Sequence, residues 1–146
     1  IAKLLPDFGK AAFRRITVRH LLTHSSGFPD MLPENTALRA AHATLDEFLQ
    51  RAADVPLDFS TGMDCRYSSV GFLLLGAIVE RTTGIPLSEF LRQNFFEPLG
   101  MRDSWLGIPE TLADELLPTA LPSILPDWQA AGTATIGARW ELLGAA

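Results

Sequence analysis

The sequence predicts a mainly α-helical segment, and three observations lead to this fold class. Runs with the two-residue alternation of β-strands are nearly absent. A Thr-Leu-Asp-Glu capping box at residues 44–47 opens an amphipathic stretch. A long apolar run over residues 69–83 ends at Gly84, as buried helices commonly do.

The composition indicates a globular protein and limits the classes of partner. The 146 residues are 47% hydrophobic and 20% charged, and the net charge of −5 has no basic footprint for nucleic acid. The longest apolar run, residues 70–79, is shorter than the roughly 20 residues of a transmembrane helix, so we expect no transmembrane segment. Cys65 is the only cysteine, so an internal disulfide is excluded and the compartment stays open.

The first third of the chain predicts short elements. Residues 1–15 are expected to be a connector, because proline, aspartate and glycine break any period. Thr17 is a candidate N-cap for a short helix. Gly27, with Pro29 beyond it, is the predicted end of that helix. Residues 28–43 favour a loop with one or two helical turns within residues 37–43.

The middle of the chain predicts three further helices. The capping box at Thr44 opens one whose apolar stripe is formed by Leu45, Phe48, Leu49 and Ala52. Residues 54–64 are expected to be an extended loop, and the strongest helix follows over residues 69–83. Pro86 begins the next helix, which ends near Phe95. Beyond residue 101, prolines recur and disfavour long regular elements.

Two stretches resemble the serine β-lactamase and penicillin-binding-protein superfamily, in the branch of class C β-lactamases and β-lactamase-like esterases. The first is residues 16–28, Ile-Thr-Val-Arg-His-Leu-Leu-Thr-His-Ser-Ser-Gly-Phe. The second is residues 67–84, Tyr-Ser-Ser-Val-Gly-Phe-Leu-Leu-Leu-Gly-Ala-Ile-Val-Glu-Arg-Thr-Thr-Gly, continuing to Phe-Glu-Pro-Leu-Gly-Met at residues 96–101. The resemblance covers residues 1–107, while the Pro-rich residues 108–146 carry no functional interpretation.

The resemblance implies an α/β fold in which an antiparallel sheet packs against a helical domain. The chain is therefore interpreted as a partial domain, a mainly α segment that lacks most of the sheet. Its apolar surface is expected to pack against the missing part of that domain. The chain begins at Ile1 instead of Met, so we expect a processed chain or an excerpt of a longer one.

The resemblance also implies hydrolysis through an acyl-enzyme. The family's nucleophilic serine lies in an S-x-x-K motif, and its other motifs are Tyr-x-Asn and Lys-Thr-Gly. No serine of this chain has lysine three residues later, and neither Lys3 nor Lys10 begins Lys-Thr-Gly. We therefore expect the nucleophile outside the chain, no cofactor, and a small-molecule ester, amide or β-lactam as substrate.

Tyr67 falls on the tyrosine of the second motif, which the resemblance identifies as the catalytic proton shuttle. A phenol is a poor base at neutral pH unless cations stabilise the phenolate, and the family supplies lysines for this. Tyr67 precedes the strongest predicted helix, and such a junction can direct a side chain into a cleft. A core tyrosine at the start of a helix is the alternative.

Ser69 stands where the family often has asparagine, and it is the candidate substrate-binding residue. A serine hydroxyl reaches less far than an amide. This departure favours an esterase-like or other acyl-transfer role over β-lactam recognition. The alternative for Ser69 is a helix N-cap.

Three competing interpretations remain open from the residues. His20 and His24 have the i, i+4 spacing of metal ligands, but Leu21 stands where a zinc hydrolase would have Glu. Structural histidines at the end of a helix are the interpretation that the residues favour. Ser25 or Ser26 could join a Ser-His-Asp triad, although no G-x-S-x-G elbow frames either serine. A family member without its catalytic residues would instead be a binding or interaction module.

Overall fold

A computed structural model of the chain describes residues 1–107, and its regular structure there is helical. The α-helices are α1 (Val18–Leu22), α2 (Asn35–Ala40), α3 (Leu45–Ala52), α4 (Ser69–Thr83) and α5 (Leu87–Leu91), and a π-helical turn, Arg92–Phe96, continues α5. No strand occurs among these residues. The mainly α prediction is confirmed for them, while the predicted Pro-rich region 108–146 lies outside the described residues.

The helix starts follow the capping residues predicted from the sequence. The Thr17 side chain accepts from the backbone of His20, and Thr44 accepts from the backbone of Glu47. In each case the side chain of the third helical residue accepts in return from the backbone of the cap. At each helix start, two backbone N–H groups that have no partner within the helix are thereby hydrogen-bonded.

The end of α1 differs from the prediction. The helix ends at Leu22, well before Gly27, and the residue with left-handed backbone is His24, with φ 54°. Ser25 N–H donates to the carbonyl of His20 over 2.9 Å, and His24 N–H donates to Leu21 over 3.2 Å. These two bonds form a Schellman motif, in which glycine usually occupies the position of His24.

Helix α4 packs against α1, α3 and α5. Val70, Leu74 and Ile78 of α4 are buried. Gly84 ends the helix in left-handed conformation with φ 76°, as predicted. Pro86 then caps α5, so both predicted boundaries are confirmed.

The prediction that residues 1–15 are only a connector is wrong, because these residues contribute side chains to the hydrophobic core. They form two short 3₁₀ turns, Pro6–Phe8 and Ala11–Phe13. The rings of Phe8 and Phe13 are buried and meet Phe28, with centroids 6.1 and 5.2 Å from it. Aromatic packing between distant segments has no local sequence period, so the sequence pattern does not reveal it.

The segment after α1 lies alongside the predicted loop 54–64, and backbone hydrogen bonds join the two. Asp58 N–H donates to Gly27 over 2.8 Å, Gly62 N–H to Ser25 over 2.8 Å, and Arg66 N–H to His24 over 3.0 Å. The Thr61 hydroxyl adds a bond to the carbonyl of Ser26 over 3.0 Å. The chain that leads into Tyr67 is thus attached to the end of α1.

Several large apolar side chains of residues 1–107 are exposed, among them Leu22, Met31, Met63, Phe72 and Leu99. In the same residues no single helix has the length and hydropathy to cross a membrane. Only the pair formed by α4 and Leu87–Phe96 is long and apolar enough in total, and the two parts are bent by 79° relative to each other.

Candidate active site

Tyr67 lies at the junction of loop and helix, immediately before the N-cap of α4. Its 66% exposure places it outside the core that residues 1–107 form among themselves. An exposed phenol can meet a ligand without rearrangement of the core.

Ser68 is the N-cap of α4, and it is 1% exposed. Its hydroxyl accepts from Gly71 N–H over 2.9 Å and donates to the carbonyl of Pro29 over 2.9 Å. The N-cap alternative for Ser69 is therefore wrong, since its neighbour has this role. Ser68 attaches the start of α4 to the segment 28–30.

Ser69 is the first residue of α4, and both of its donors meet Asp30. The hydroxyl donates to Oδ1 of Asp30 over 2.7 Å, and the backbone N–H donates to the same oxygen over 3.1 Å. Because the hydroxyl proton is directed at Asp30, the oxygen of Ser69 remains free to act as an acceptor. A substrate N–H or a lysine ammonium is the chemical complement of such an atom.

An apolar cavity of about 330 Å³ lies beside Ser69. Its lining comes from α2, α3, α4 and the segment 30–32: Asp30, Met31, Leu32, Asn35, Arg39, Leu45, Phe48, Ser69, Val70 and Leu73. The predicted stripe of α3 contributes Leu45 and Phe48 to it. A small apolar group could enter this volume.

Arg66, the cationic residue that precedes Tyr67 in the sequence, already has two partners. The Arg66 guanidinium donates to Oδ2 of Asp64 over 3.0 Å and lies 4.9 Å from the centre of the Phe59 ring. The backbone N–H of Cys65, and then the Arg66 hydrogen bond, lower the pKa of Asp64 below its usual value. Arg66 is thus held by Asp64 and Phe59 and is not a free cation beside Tyr67.

The histidines do not share one helix face, which removes the premise of a metal site at residues 20 and 24. His20 belongs to α1, whereas His24 lies beyond it in left-handed conformation. Nδ1 of His20 accepts from Thr17 N–H, and Nδ1 of His24 accepts from Ser68 N–H, each over 3.2 Å. Within residues 1–107 no group of three His, Cys, Asp or Glu side chains is arranged to hold a metal ion.

The hydroxyls of the two serines after α1 bond to groups other than a histidine side chain. The buried Ser26 hydroxyl accepts from Phe28 N–H over 3.3 Å, and the Ser25 hydroxyl lies 2.9 Å from that of Thr23. These bonds belong to the turn itself. The geometry therefore gives no support to a triad at Ser25 or Ser26.

Comparison with known proteins identifies the group to which this arrangement belongs. The β-lactamase family model matches residues 1–141. The chain belongs to the β-lactamase family. The serine β-lactamase and penicillin-binding-protein superfamily predicted from residues 16–28 and 67–101 is thereby confirmed.

Curated relatives of this β-lactamase-family chain carry the names of hydrolases and penicillin-binding proteins. It is 38% identical over 118 residues to "Esterase EstB" of Burkholderia gladioli, covering 70% of the chain and 30% of the relative. It is 35% identical over 113 residues to "Putative D-alanyl-D-alanine carboxypeptidase" of Escherichia coli (strain K12), covering 69% and 25%. It is 34% identical over 113 residues to "Penicillin-binding protein 4" of Amycolatopsis lactamdurans, covering 75% and 29%. The chain spans less than a third of each relative's length.

Two residues of the candidate site in this β-lactamase-family chain were not predicted from the sequence. The sequence gives Asp30 no predicted role, and it predicts His24 as a structural histidine at a helix end, with a metal ligand or a triad member as the alternatives. Their partners at residues 67–69 lie about 40 positions away in the sequence. Pairing over such a separation leaves no local pattern, so only the tertiary structure identifies it.

Proposed function

We propose that this chain is a segment of a serine hydrolase that acts through an acyl-enzyme on an ester, peptide or β-lactam bond. Its nucleophilic serine and Lys-Thr-Gly-type motif lie outside the 146 residues, since neither motif occurs in them. Tyr67 transfers the proton during acylation, and Ser69 contacts the substrate.

The exposure of Tyr67 is the observation that carries this proposal. Its phenol is two-thirds exposed although both neighbours, Arg66 and Ser68, are bonded through their backbone to His24. A solvent-accessible side chain on an attached backbone is what proton transfer requires, because the base must reach the reacting atom in a defined geometry.

Ser69 supports an ester or a small amide as substrate. Its oxygen can accept a hydrogen bond while its own proton is donated to Asp30. The amide of an asparagine would both donate and accept, so Ser69 retains half of that function. The apolar cavity beside Ser69 is suited to an apolar substituent of such a substrate. Relatives named as an esterase and a carboxypeptidase agree with this range of substrates.

The test is Tyr67→Phe in the complete protein, assayed with a short-chain p-nitrophenyl ester and a chromogenic cephalosporin. We expect the complete protein to hydrolyse at least one of them and kcat to fall about 10²- to 10⁴-fold in the variant, the usual contribution of general acid–base catalysis. Ser60→Ala is the matched control, because it also removes a single hydroxyl from the exposed loop before α4.

An unchanged kcat in Tyr67→Phe would exclude Tyr67 from the mechanism. The coding sequence outside this segment offers a second test, because the proposal requires an S-x-x-K motif there. Replacement of its serine or lysine would instead favour a binding or interaction module. The 146-residue chain alone is expected to hydrolyse neither substrate.

A further inference from the structure

His24 contacts Tyr67 and both of its neighbours. The carbonyl of His24 accepts from Arg66 N–H over 3.0 Å, and its Nδ1 accepts from Ser68 N–H over 3.2 Å. Between these two bonds, the imidazole lies against the phenol of Tyr67, with ring centroids 4.7 Å apart and planes inclined by 37°. One residue thus holds the backbone before and after Tyr67 as well as its ring.

The other aromatic neighbour of the imidazole is Phe72, in the first turn of α4. Its ring centroid lies 5.3 Å from that of His24, at 34°. Because Nδ1 accepts a hydrogen bond, the neutral imidazole carries its proton on Nε2. The backbone bond and the two ring contacts together restrict the imidazole, and a restricted ring gives Tyr67 a defined surface to rest on.

The backbone conformation of His24 is one that disfavours residues with a side chain. His24 occupies the left-handed position of the Schellman motif that ends α1, with φ 54°. Glycine adopts this conformation without penalty, whereas a residue with a side chain is strained there. The contacts of the imidazole with the rings of Tyr67 and Phe72 are what the side chain of His24 adds at this position.

We infer that His24 is a positioning residue for Tyr67, holding the phenol through ring stacking and through hydrogen bonds to the backbone on either side. The inference rests on the proposed function of Tyr67. An exposed tyrosine would otherwise sample several rotamers, and a displacement of about 1 Å at a reacting group can lower a rate by a hundredfold.

The main variant is His24→Asn in the complete protein. Asparagine tolerates left-handed backbone and offers an acceptor oxygen, so the substitution removes chiefly the ring. We expect kcat to fall by about tenfold to a hundredfold, with KM changed by less than about threefold. In a Tyr67→Phe background the same substitution should have no further effect, because both changes then act on one group.

The chain offers a matched control in His42. This residue ends α2 in the same Schellman arrangement, with φ 53° and bonds from His42 N–H to Arg39 and from Ala43 N–H to Leu38. His42→Asn is therefore the same chemical change on the same backbone, and kcat should stay at the level of the unsubstituted protein.

A readout independent of activity separates this inference from the function of Tyr67. With 3-fluorotyrosine at position 67, the ¹⁹F resonance should be displaced by the ring current of His24 and should move toward the value of free fluorotyrosine in His24→Asn. An identical resonance in both proteins would refute the positioning role even if Tyr67→Phe is inactive. A shifted resonance with an unchanged kcat in Tyr67→Phe would refute the proposed function and leave the contact intact.

His24→Gly supplies the second variant if His24→Asn does not fold. It removes backbone strain together with the side chain, so the melting temperature should change little. The same loss of kcat at an unchanged melting temperature would identify a role beyond stability. A kcat equal to that of the unsubstituted protein, or losses that multiply with those of Tyr67→Phe, would overturn the inference.

Discussion

The hydroxyl of Ser69 donates to Oδ1 of Asp30 over 2.7 Å, which leaves the serine oxygen as an acceptor. The same carboxylate oxygen also accepts from the backbone N–H of Ser69. Because both donors of Ser69 are used by Asp30, the serine can offer a substrate only its acceptor oxygen.

Ser69→Ala should raise KM about fivefold in the complete protein with little change in kcat. The loss of one ordinary hydrogen bond of about 1 kcal/mol to bound substrate has this size. Steady-state kinetics with a p-nitrophenyl ester measure it. Asp30→Ala separates the two roles of the serine: an equal rise in KM there would mean that the effect passes through the segment 28–30 and not through a bond from Ser69 to substrate.

Ser68→Ala should lower the free energy of unfolding of the complete protein by about 2 kcal/mol. The substitution removes the N-cap of α4 and leaves the partly buried carbonyl of Pro29 without its donor. Thr44→Ala is the matched control, because it removes an exposed N-cap hydroxyl and should cost about 1 kcal/mol. Urea denaturation gives both values, and equal losses would show that the bond to Pro29 contributes nothing.

Gly27→Ala should be among the most damaging single substitutions, costing about 3 kcal/mol or more. Gly27 has φ 92°, and a Cβ there would lie 2.2 Å from the carbonyl oxygen of Phe59. Gly84→Ala is the comparison, because Gly84 has φ 76° with nothing within 4 Å of its Cβ position. It should cost only the backbone penalty of about 1–2 kcal/mol. Equal melting temperatures for the two variants would contradict the predicted clash.

Glu89→Gln should reduce thermal stability at neutral pH and reduce its dependence on pH below about 4.5. The hydrogen bonds from Arg92, and then from Gln93, lower the pKa of Glu89 from 4.5 to about 2. A depressed carboxylate pKa stabilises the folded state above the unfolded pKa, and this contribution is lost as the pH falls toward about 2. Asp103→Asn, an exposed change of the same charge, is the control.

Melting temperatures at pH 6 and pH 3 provide the measurement. The difference between the unsubstituted protein and Glu89→Gln should be larger at pH 6 and should shrink at pH 3. The effect is small in absolute terms, because the pair is at the surface and solvent screens it. A difference that grows on acidification would have the wrong sign for this ion pair.

Local chemistry was sufficient to predict the boundaries of several helices. Thr44, with a suitable side chain three residues later, satisfies backbone N–H groups at the start of α3. Gly84, which follows an apolar run, lets the backbone leave α4 in left-handed conformation. Both effects act within one turn of the helix. The position of Tyr67 before α4 follows from the same reasoning. These features depend on residues close in sequence, so their pattern is visible without a structure.

The choice between Ser68 and Ser69 as N-cap could not be made in this way. Both are serines with the same intrinsic capping preference. The outcome depends on the carbonyl of Pro29 and the carboxylate of Asp30, which lie 39 residues earlier in the chain and bind one hydroxyl each. Similarly, Phe8 and Phe13 gave no periodic signal, and only their contact with Phe28 makes them part of the core.

By itself, the sequence therefore determined the family, the helical character of residues 1–107 and the candidate tyrosine. The tertiary structure decided which groups surround that tyrosine. His24 and Asp30 reach residues 67–69 because hydrogen bonds join the segment after α1 to the approach and the start of α4. Such bonds form between groups that are near only after folding, and no residue pattern along the chain encodes their geometry.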